Sequence, residues 1–295
     1  MFGGVDTGKY TGDLISVKVY PSDRSGQVSS FTVAFTSLSA HSSSGSDQLT
    51  PSNYATAAIL DSGTTITLLP DELADAVFQE LGAVYSRQLG AVVVPCDLAN
   101  NNGTLNYGFG GQGGPVIKVA VSDLVLPLTL RNGRRPTFTD GTLACQLGIQ
   151  PAGNLPVLFG DTFLRSAYAV YDLYNNRIAL AQTDFNSTTT NIVPFASEGA
   201  SIPSASTASN EYQITQTASA NPRVEVSTMV TGDATQATYN PTATGLNAAS
   251  GFGVATSTKK SAAVSGPEPF QWSRVVVAGI TVMGLGMGGG LFAIL

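Results

Sequence analysis

At 295 residues the chain has room for one large or two ordinary domains. Its net charge of -6 provides no basic face to neutralise phosphates, which argues against nucleic acid as a partner. One histidine and two cysteines form no cluster of zinc-ligand spacing, so neither a metal nor another cofactor is expected.

The charged residues amount to 12% of the chain, while Gly, Ser and Thr are abundant, a balance that suits a β-rich secreted protein. In chain order, "GDLISVKVY" alternates with Ile15, Val17 and Val19 on one face, and "SFTVAF" with Phe31, Val33 and Phe35. His41 follows in "SAHSSSGSD", which reads as a polar, solvated loop. A serine hydrolase would need His41 as base, yet no G-x-S-x-G elbow occurs, nor any phosphate-binding G-x-x-x-x-G-K-[ST]. "PDELADAVFQELG" predicts a helix: Pro70 suits its first position, and Asp71 and Glu72 complement the helix dipole. Leu73, Val77 and Leu81 make its apolar stripe, and Gly82 ends it. "VVVP", "VIKVAVSDLVL" and "AYAVYDLYNNRIALAQ" predict further strands, the last turning at Asn175-Asn176, where asparagine tolerates positive φ.

Cys96 and Cys145 most simply form one disulfide in an oxidising compartment, the alternative being two buried free thiols. Asn102-Gly103-Thr104 and Asn186-Ser187-Thr188 are N-glycosylation sequons in turn-rich stretches.

Residues 1–194 thus read as a packed β domain. From Phe195 to Gly266, Ser, Thr, Ala and Asn dominate, apolar residues are isolated and no period persists, so a disordered stalk is expected over 195–266. Residues 267–295 contain an uncharged apolar run from Val275 to the terminal Leu295, long enough to cross a bilayer. The small residues Ser261-Ala262-Ala263, a spacer and this tail match a GPI-attachment signal, with Ser261 as the candidate site; a terminal membrane helix is the alternative. Met1-Phe2-Gly3-Gly4 enters the domain without a leader of basic and apolar regions, so a front portion is expected outside this sequence.

Two acidic triplets remain. Asp61 follows the apolar "AAIL" and precedes Ser62-Gly63-Thr64-Thr65. A carboxylate at a strand end is held rigidly, Gly63 permits a tight turn, and the hydroxyls can bond the carboxylate. The ordinary reading of Asp-Ser-Gly is a surface turn, but apolar flanks are unusual for one. Asp6, in "GGVDTGKY", has two glycines before it and Lys9 where a catalytic triplet carries Ser or Thr.

"AILDSGTTITLLP" resembles the C-lobe active-site motif of pepsin-type aspartic proteases, nearest the fungal yapsin and candidapepsin branches. "FGGVDTGKYTGDL" resembles the opening of that lobe, and "VLFGDTFLRSAYAVYDLYNNRIALA" its closing segment, with Leu158-Phe159-Gly160 as the strand crossing the aspartyl turn. The resemblance, over residues 1 to about 182, implies an all-β C-terminal lobe with short helices and a Cys96–Cys145 disulfide. It implies an endopeptidase acting on peptide or protein substrates at acid pH, with Asp61 catalytic and Asp6 not. Thr64 would bond across to the opposite lobe, while Gly63 and Thr65 would approach the substrate backbone. The second aspartate and the flap would lie in an N-terminal lobe outside this chain, which alone would be inactive. A catalytically dead surface protein and a retroviral-type homodimer are the competing readings. The location expected is the cell surface or wall, or the plasma membrane on its extracellular side.

Overall fold

The computed structural model describes residues 1–21, 25–87, 89–130, 132–214 and 247–254. The first strands are β1 (Gly4–Asp6), β2 (Tyr10–Lys18), β3 (Thr32–Ser42), β4 (Gly45–Gln48), β5 (Thr56–Leu60) and β6 (Thr67–Leu69). Helix α1 (Asp71–Leu81) follows, then β7 (Val84–Ser86), β8 (Ala91–Pro95), β9 (Thr104–Phe109), β10 (Gly111–Gln112), β11 (Val116–Ala120) and β12 (Val125–Leu126). Next come β13 (Ala144–Leu147), β14 (Ile149–Pro151), β15 (Val157–Phe159), the single turn α2 (Asp161–Leu164), β16 (Ala167–Asp172) and β17 (Arg177–Thr183). Last are β18 (Ile192–Pro194), β19 (Ala205–Thr207) and β20 (Asn210–Glu211).

The largest sheet runs β11-β9-β3-β5-β15-β6-β14, with β4 hairpinned onto β3. Two pairs in it are parallel, β5 beside β15 and β6 beside β14, while β15 with β6 and the β11-β9-β3-β5 side are antiparallel. A second sheet, β16-β17-β2-β19, packs Val17, Ile178 and Leu180 into the same core. Phe35, Tyr107, Phe109, Phe159 and Phe163 meet at its centre, with Phe159 4.7 to 5.5 Å from the other four rings. Burying each such side chain stabilises the fold by roughly 1.5–3 kcal/mol.

The helix forms as its sequence demands. Pro70 is the N-cap, with ψ 140, so the helix begins one residue later than predicted; its carbonyl accepts the Leu73 and Ala74 amides at 2.9 Å. Leu73, Val77 and Leu81 are buried, and Gly82 ends it in the left-handed region at φ 62. The Asn175-Asn176 turn also forms, with positive φ at Asn176 alone.

Three readings need correction. "VIKVAVSDLVL" is not one strand, because a 3-10 turn at Val121–Leu124 separates β11 from β12. His41 is not in a loop: it lies half-buried in β3, opposite Ser46 of β4, and its Nε2 is 2.9 Å from Ser39 Oγ. Serine-rich sequence hid a hairpin whose inward face is carried by Ala40 and Asp47. Strand β9 buries Leu105, Tyr107 and Phe109 in regular alternation.

Finally, the segment expected to be disordered from Phe195 is structured at both of its described parts. β19 adds in parallel to β2, and β20 pairs with β10. Glu211 accepts from the Arg177 guanidinium at 2.8 Å and from the Lys18 amide at 2.7 Å. Residues 247–254 contain a 3-10 turn, Ala249–Phe252, and bury Ala248, Ala249 and Phe252. Such short pieces show no hydrophobic period of their own because the rest of the domain supplies the surface that buries them. Residues 215–246 and 255–295, with Ser261 and the apolar tail, lie outside the described residues.

Candidate active site

Buried strand β5 delivers Asp61 to the end of the central parallel pair, where Leu60 stands opposite Phe159. The Asp61 amide donates to the Phe159 carbonyl at 3.0 Å. The chain then turns through Ser62 and Gly63, and the Thr64 amide donates back to the Asp61 carbonyl at 3.3 Å.

The carboxylate is held from within this turn. Its Oδ1 accepts the Gly63 amide at 2.9 Å, and its Oδ2 accepts the Thr64 hydroxyl at 2.6 Å. Two short bonds from within one turn, one to each oxygen, fix the plane of the carboxyl group. The Thr64 hydroxyl, expected to reach toward an opposite lobe, is thus engaged with Asp61 itself. Ser62, Gly63 and Thr65 are exposed, whereas Asp61 and Thr64 are half-buried.

A second strand locks the turn from behind. The Asp161 amide donates to the Thr64 carbonyl at 2.8 Å, and the Thr162 amide to that of Thr65 at 3.1 Å. Between them Gly160 passes so closely that a Cβ there would lie 2.2 Å from the Thr64 oxygen and 2.5 Å from the Ile66 oxygen. Leu158-Phe159-Gly160 therefore crosses the aspartyl turn as the resemblance implied. The buried Thr162 hydroxyl continues the latch, donating to the Gly148 carbonyl at 3.0 Å beside Thr67 Oγ1 at 3.1 Å.

Sequence reasoning missed the aromatic neighbours. Tyr171 of β16 packs against Phe31 in a tilted arrangement, with ring centroids 4.5 Å apart. Burial, and then the nearby Asp61 charge, pushes the Tyr171 phenol above its ordinary value. The one local signal was the outward tyrosine in "AVYD", which strand alternation places opposite Val170.

Asp6 lies elsewhere, in β1 paired with β18. It is buried, its Oδ1 accepts the Gly8 amide at 3.0 Å and the Asn191 amide at 2.7 Å, and its own amide donates to Tyr168 Oη at 2.8 Å. Those bonds make it a structural carboxylate that closes a loop. Cys96 and Cys145 form the expected disulfide, with Cα atoms 5.0 Å apart. Asn102 and Asn186 are both exposed. Among the described residues no group of three or more His, Cys, Asp or Glu side chains could hold a metal ion.

An aspartate braced by a Ser-Gly-Thr turn beneath a crossing apolar-apolar-Gly strand defines an aspartyl-protease lobe. Residues 1–183 match the family model described as eukaryotic aspartyl protease, and the chain belongs to that family. Its fold is the mostly β fold of pepsin-like aspartic proteinases.

Among similar proteins is the probable aspartic-type endopeptidase opsB of Aspergillus oryzae. It is 41% identical over 214 residues, which cover 71% of this chain and 41% of that protein. Secreted aspartic protease 9 of Candida albicans is 35% identical over 190 residues, covering 63% of this chain and 32% of its own length. The aspartic proteinase of Irpex lacteus matches with a TM-score of 0.46 and 26% identity, over 64% of this chain and 53% of that one. The chain thus spans less than half the length of these two curated relatives.

Proposed function

We propose that Asp61 is one of the two catalytic carboxylates of an aspartic endopeptidase. The observation that carries this reading is the double hold on its carboxyl group, by the Gly63 amide and the Thr64 hydroxyl, at the end of a buried strand. A second aspartate, from a lobe opposite this one, shares a single proton with Asp61, since like charges so close do not both ionise. The pair removes a proton from a bound water as that water attacks the scissile carbonyl, and returns a proton to the leaving amine. No covalent enzyme intermediate forms, and the pair titrates as a unit, so cleavage occurs at acid pH. Gly63 and Thr65, exposed at the turn, lie alongside the substrate backbone. With one carboxylate of the two, this chain alone is inactive.

The same reading places the protein outside the cell. A disulfide supports an oxidising compartment, and one relative is named a secreted protease. Exposed Asn102 and Asn186 carry glycans, and a GPI lipid attached near Ser261 holds the protein at the surface.

The test is a pair of variants in a full-length form joined to its opposite lobe. Asp61→Asn lowers peptide cleavage at acid pH by about 10⁴-fold or more, the scale seen when a catalytic group is removed. Asp6→Asn leaves cleavage largely intact but costs about 1 kcal/mol of stability, because its carboxylate serves two backbone amides. Equal loss of activity in both variants sinks the assignment.

A further inference from the structure

The described chain breaks off after Ile214 and resumes at Asn247. The segment 247–254 does not lie on the surface of the lobe. Ala248 and Phe252 belong to its main hydrophobic core, and Ala249 is buried beside them.

Three parts of the lobe hold the segment. In the β3–β4 hairpin, buried Asp47 accepts Asn247 Nδ2 through Oδ1 and the Ala248 amide through Oδ2, each at 2.7 Å. Ser42 Oγ donates to the Ala248 carbonyl at 2.6 Å. Ser44 Oγ donates to the Asn247 carbonyl at 2.5 Å and accepts the Gly251 amide at 2.9 Å. Ahead of β9, Asn101 Nδ2 donates to the Gly251 carbonyl at 2.8 Å. Gly103 makes room for Phe252, since a Cβ there would meet the ring at 2.2 Å. At the end of α1, a Cβ on Gly82 would meet Val254 at 3.0 Å.

The fit is specific on the segment's side as well. A Cβ on Gly251 would lie 2.2 Å from Ser42 Oγ and 2.9 Å from the Ser44 nitrogen. Withdrawing the segment would open the core at Ala248 and Phe252 and strip both donors from the Asp47 carboxylate. The chain is therefore fixed to the lobe as far as Val254, next to Gly82.

We propose that residues 247–254 are a clasp that cuts short the expected stalk and holds the lobe close to the lipid surface on which the protein is anchored. This rests on the reading of a GPI lipid near Ser261. Between Val254 and Ser261 lie six residues, Ala255 to Lys260. Seven residue steps, fully extended, reach at most about 25 Å. Without the clasp the last hold would be Tyr212, whose amide donates to the Gly110 carbonyl at 2.8 Å. A free chain from there to Ser261 would span about 40 Å as a coil and up to about 175 Å extended. The clasp thus makes the face around Gly82, with exposed Val84 beside it, the membrane-proximal face of the lobe.

The experiment is energy transfer in the full-length, anchored form, from a fluorophore introduced at Val84 as a non-natural amino acid to an acceptor lipid in the outer leaflet. Two insertions of twenty Gly and Ser residues are compared, one between Val254 and Ala255, the other between Gly232 and Asp233. Both leave the groove and its segment intact. The first raises the limit of the tether from about 25 to about 95 Å, and transfer falls by at least about twofold. The second lies upstream of the clasp and leaves transfer unchanged. Peptides covering 247–254 stay protected from hydrogen exchange in both. Equal losses of transfer with the two insertions, no loss with either, or unprotected 247–254 peptides overturn the clasp. Failure of the anchor reading shows separately: phosphatidylinositol-specific phospholipase C then releases no protein, and the six-residue tether falls with it.

Discussion

A close backbone crossing lies under the proposed catalytic turn, and adding one methyl group there is a severe test of it. Gly160 has φ -89 and ψ -160, an extended conformation open to any residue, so Gly160→Ala carries no dihedral penalty. Its cost is steric. The new Cβ would lie 2.2 Å from the Thr64 oxygen and 2.5 Å from the Ile66 oxygen, about 1 Å inside an ordinary contact. Both obstacles are backbone, and the Thr64 oxygen is also held by the Asp161 amide at 2.8 Å, so neither yields cheaply. The loss should sit at the upper end of overpacking penalties, about 3 kcal/mol. With a urea slope of about 2–3 kcal/mol/M, the midpoint falls by roughly 1–1.5 M. Thermal unfolding shifts down by about 6–12 °C for a domain of this size. In the full-length enzyme the displaced Thr64 carries the Asp61 carboxylate with it, and a misplacement of about 1 Å costs on the order of 100-fold in kcat. Gly63→Ala is the comparison, because its Cβ meets only the Asp61 side-chain oxygen, at 3.1 Å. A Gly160→Ala midpoint within about 0.3 M of wild type, under 1 kcal/mol by the same slope, refutes the close crossing.

Two further outcomes concern the rest of the chain. The Cys96–Cys145 bridge closes a loop of sequence separation 49, so the Cys96→Ser, Cys145→Ser double variant should lose about 4 kcal/mol by urea titration on the chain-entropy account. A double variant as stable as the wild type removes that account. For the tail, phosphatidylinositol-specific phospholipase C should release a full-length form from membranes. Retention, with recovery of peptides spanning 275–295, identifies a membrane helix instead.

The legible parts of the sequence were those in which one local pattern sufficed. The α1 stripe of Leu73, Val77 and Leu81 repeats every four residues, and Gly82 stops it, so the helix needed no distant partner to be read. Asp61 stood out because "AAIL" and "ITLLP" enclose it, and a turn between apolar runs is buried on both sides. Asp6 could be set aside for the same reason in reverse. The features misread were short. His41 sits among serines because the outer face of a hairpin tolerates them, while Ala40 and Asp47 do the inward packing.

What the sequence determined by itself, then, was the family, the aspartyl turn and the principal helix, each carried by neighbours within about a dozen residues. The tertiary structure alone decided which hydroxyl holds the carboxylate, since Thr64 turns back to Asp61 only because residues 159–162 pin its backbone. It alone brought Asp47 to Asn247 and Ala248, some 200 residues away along the chain. No pattern in the chain announces such meetings. The buried Asp47 carboxyl finds its two donors only when the hairpin and the distant segment fold together.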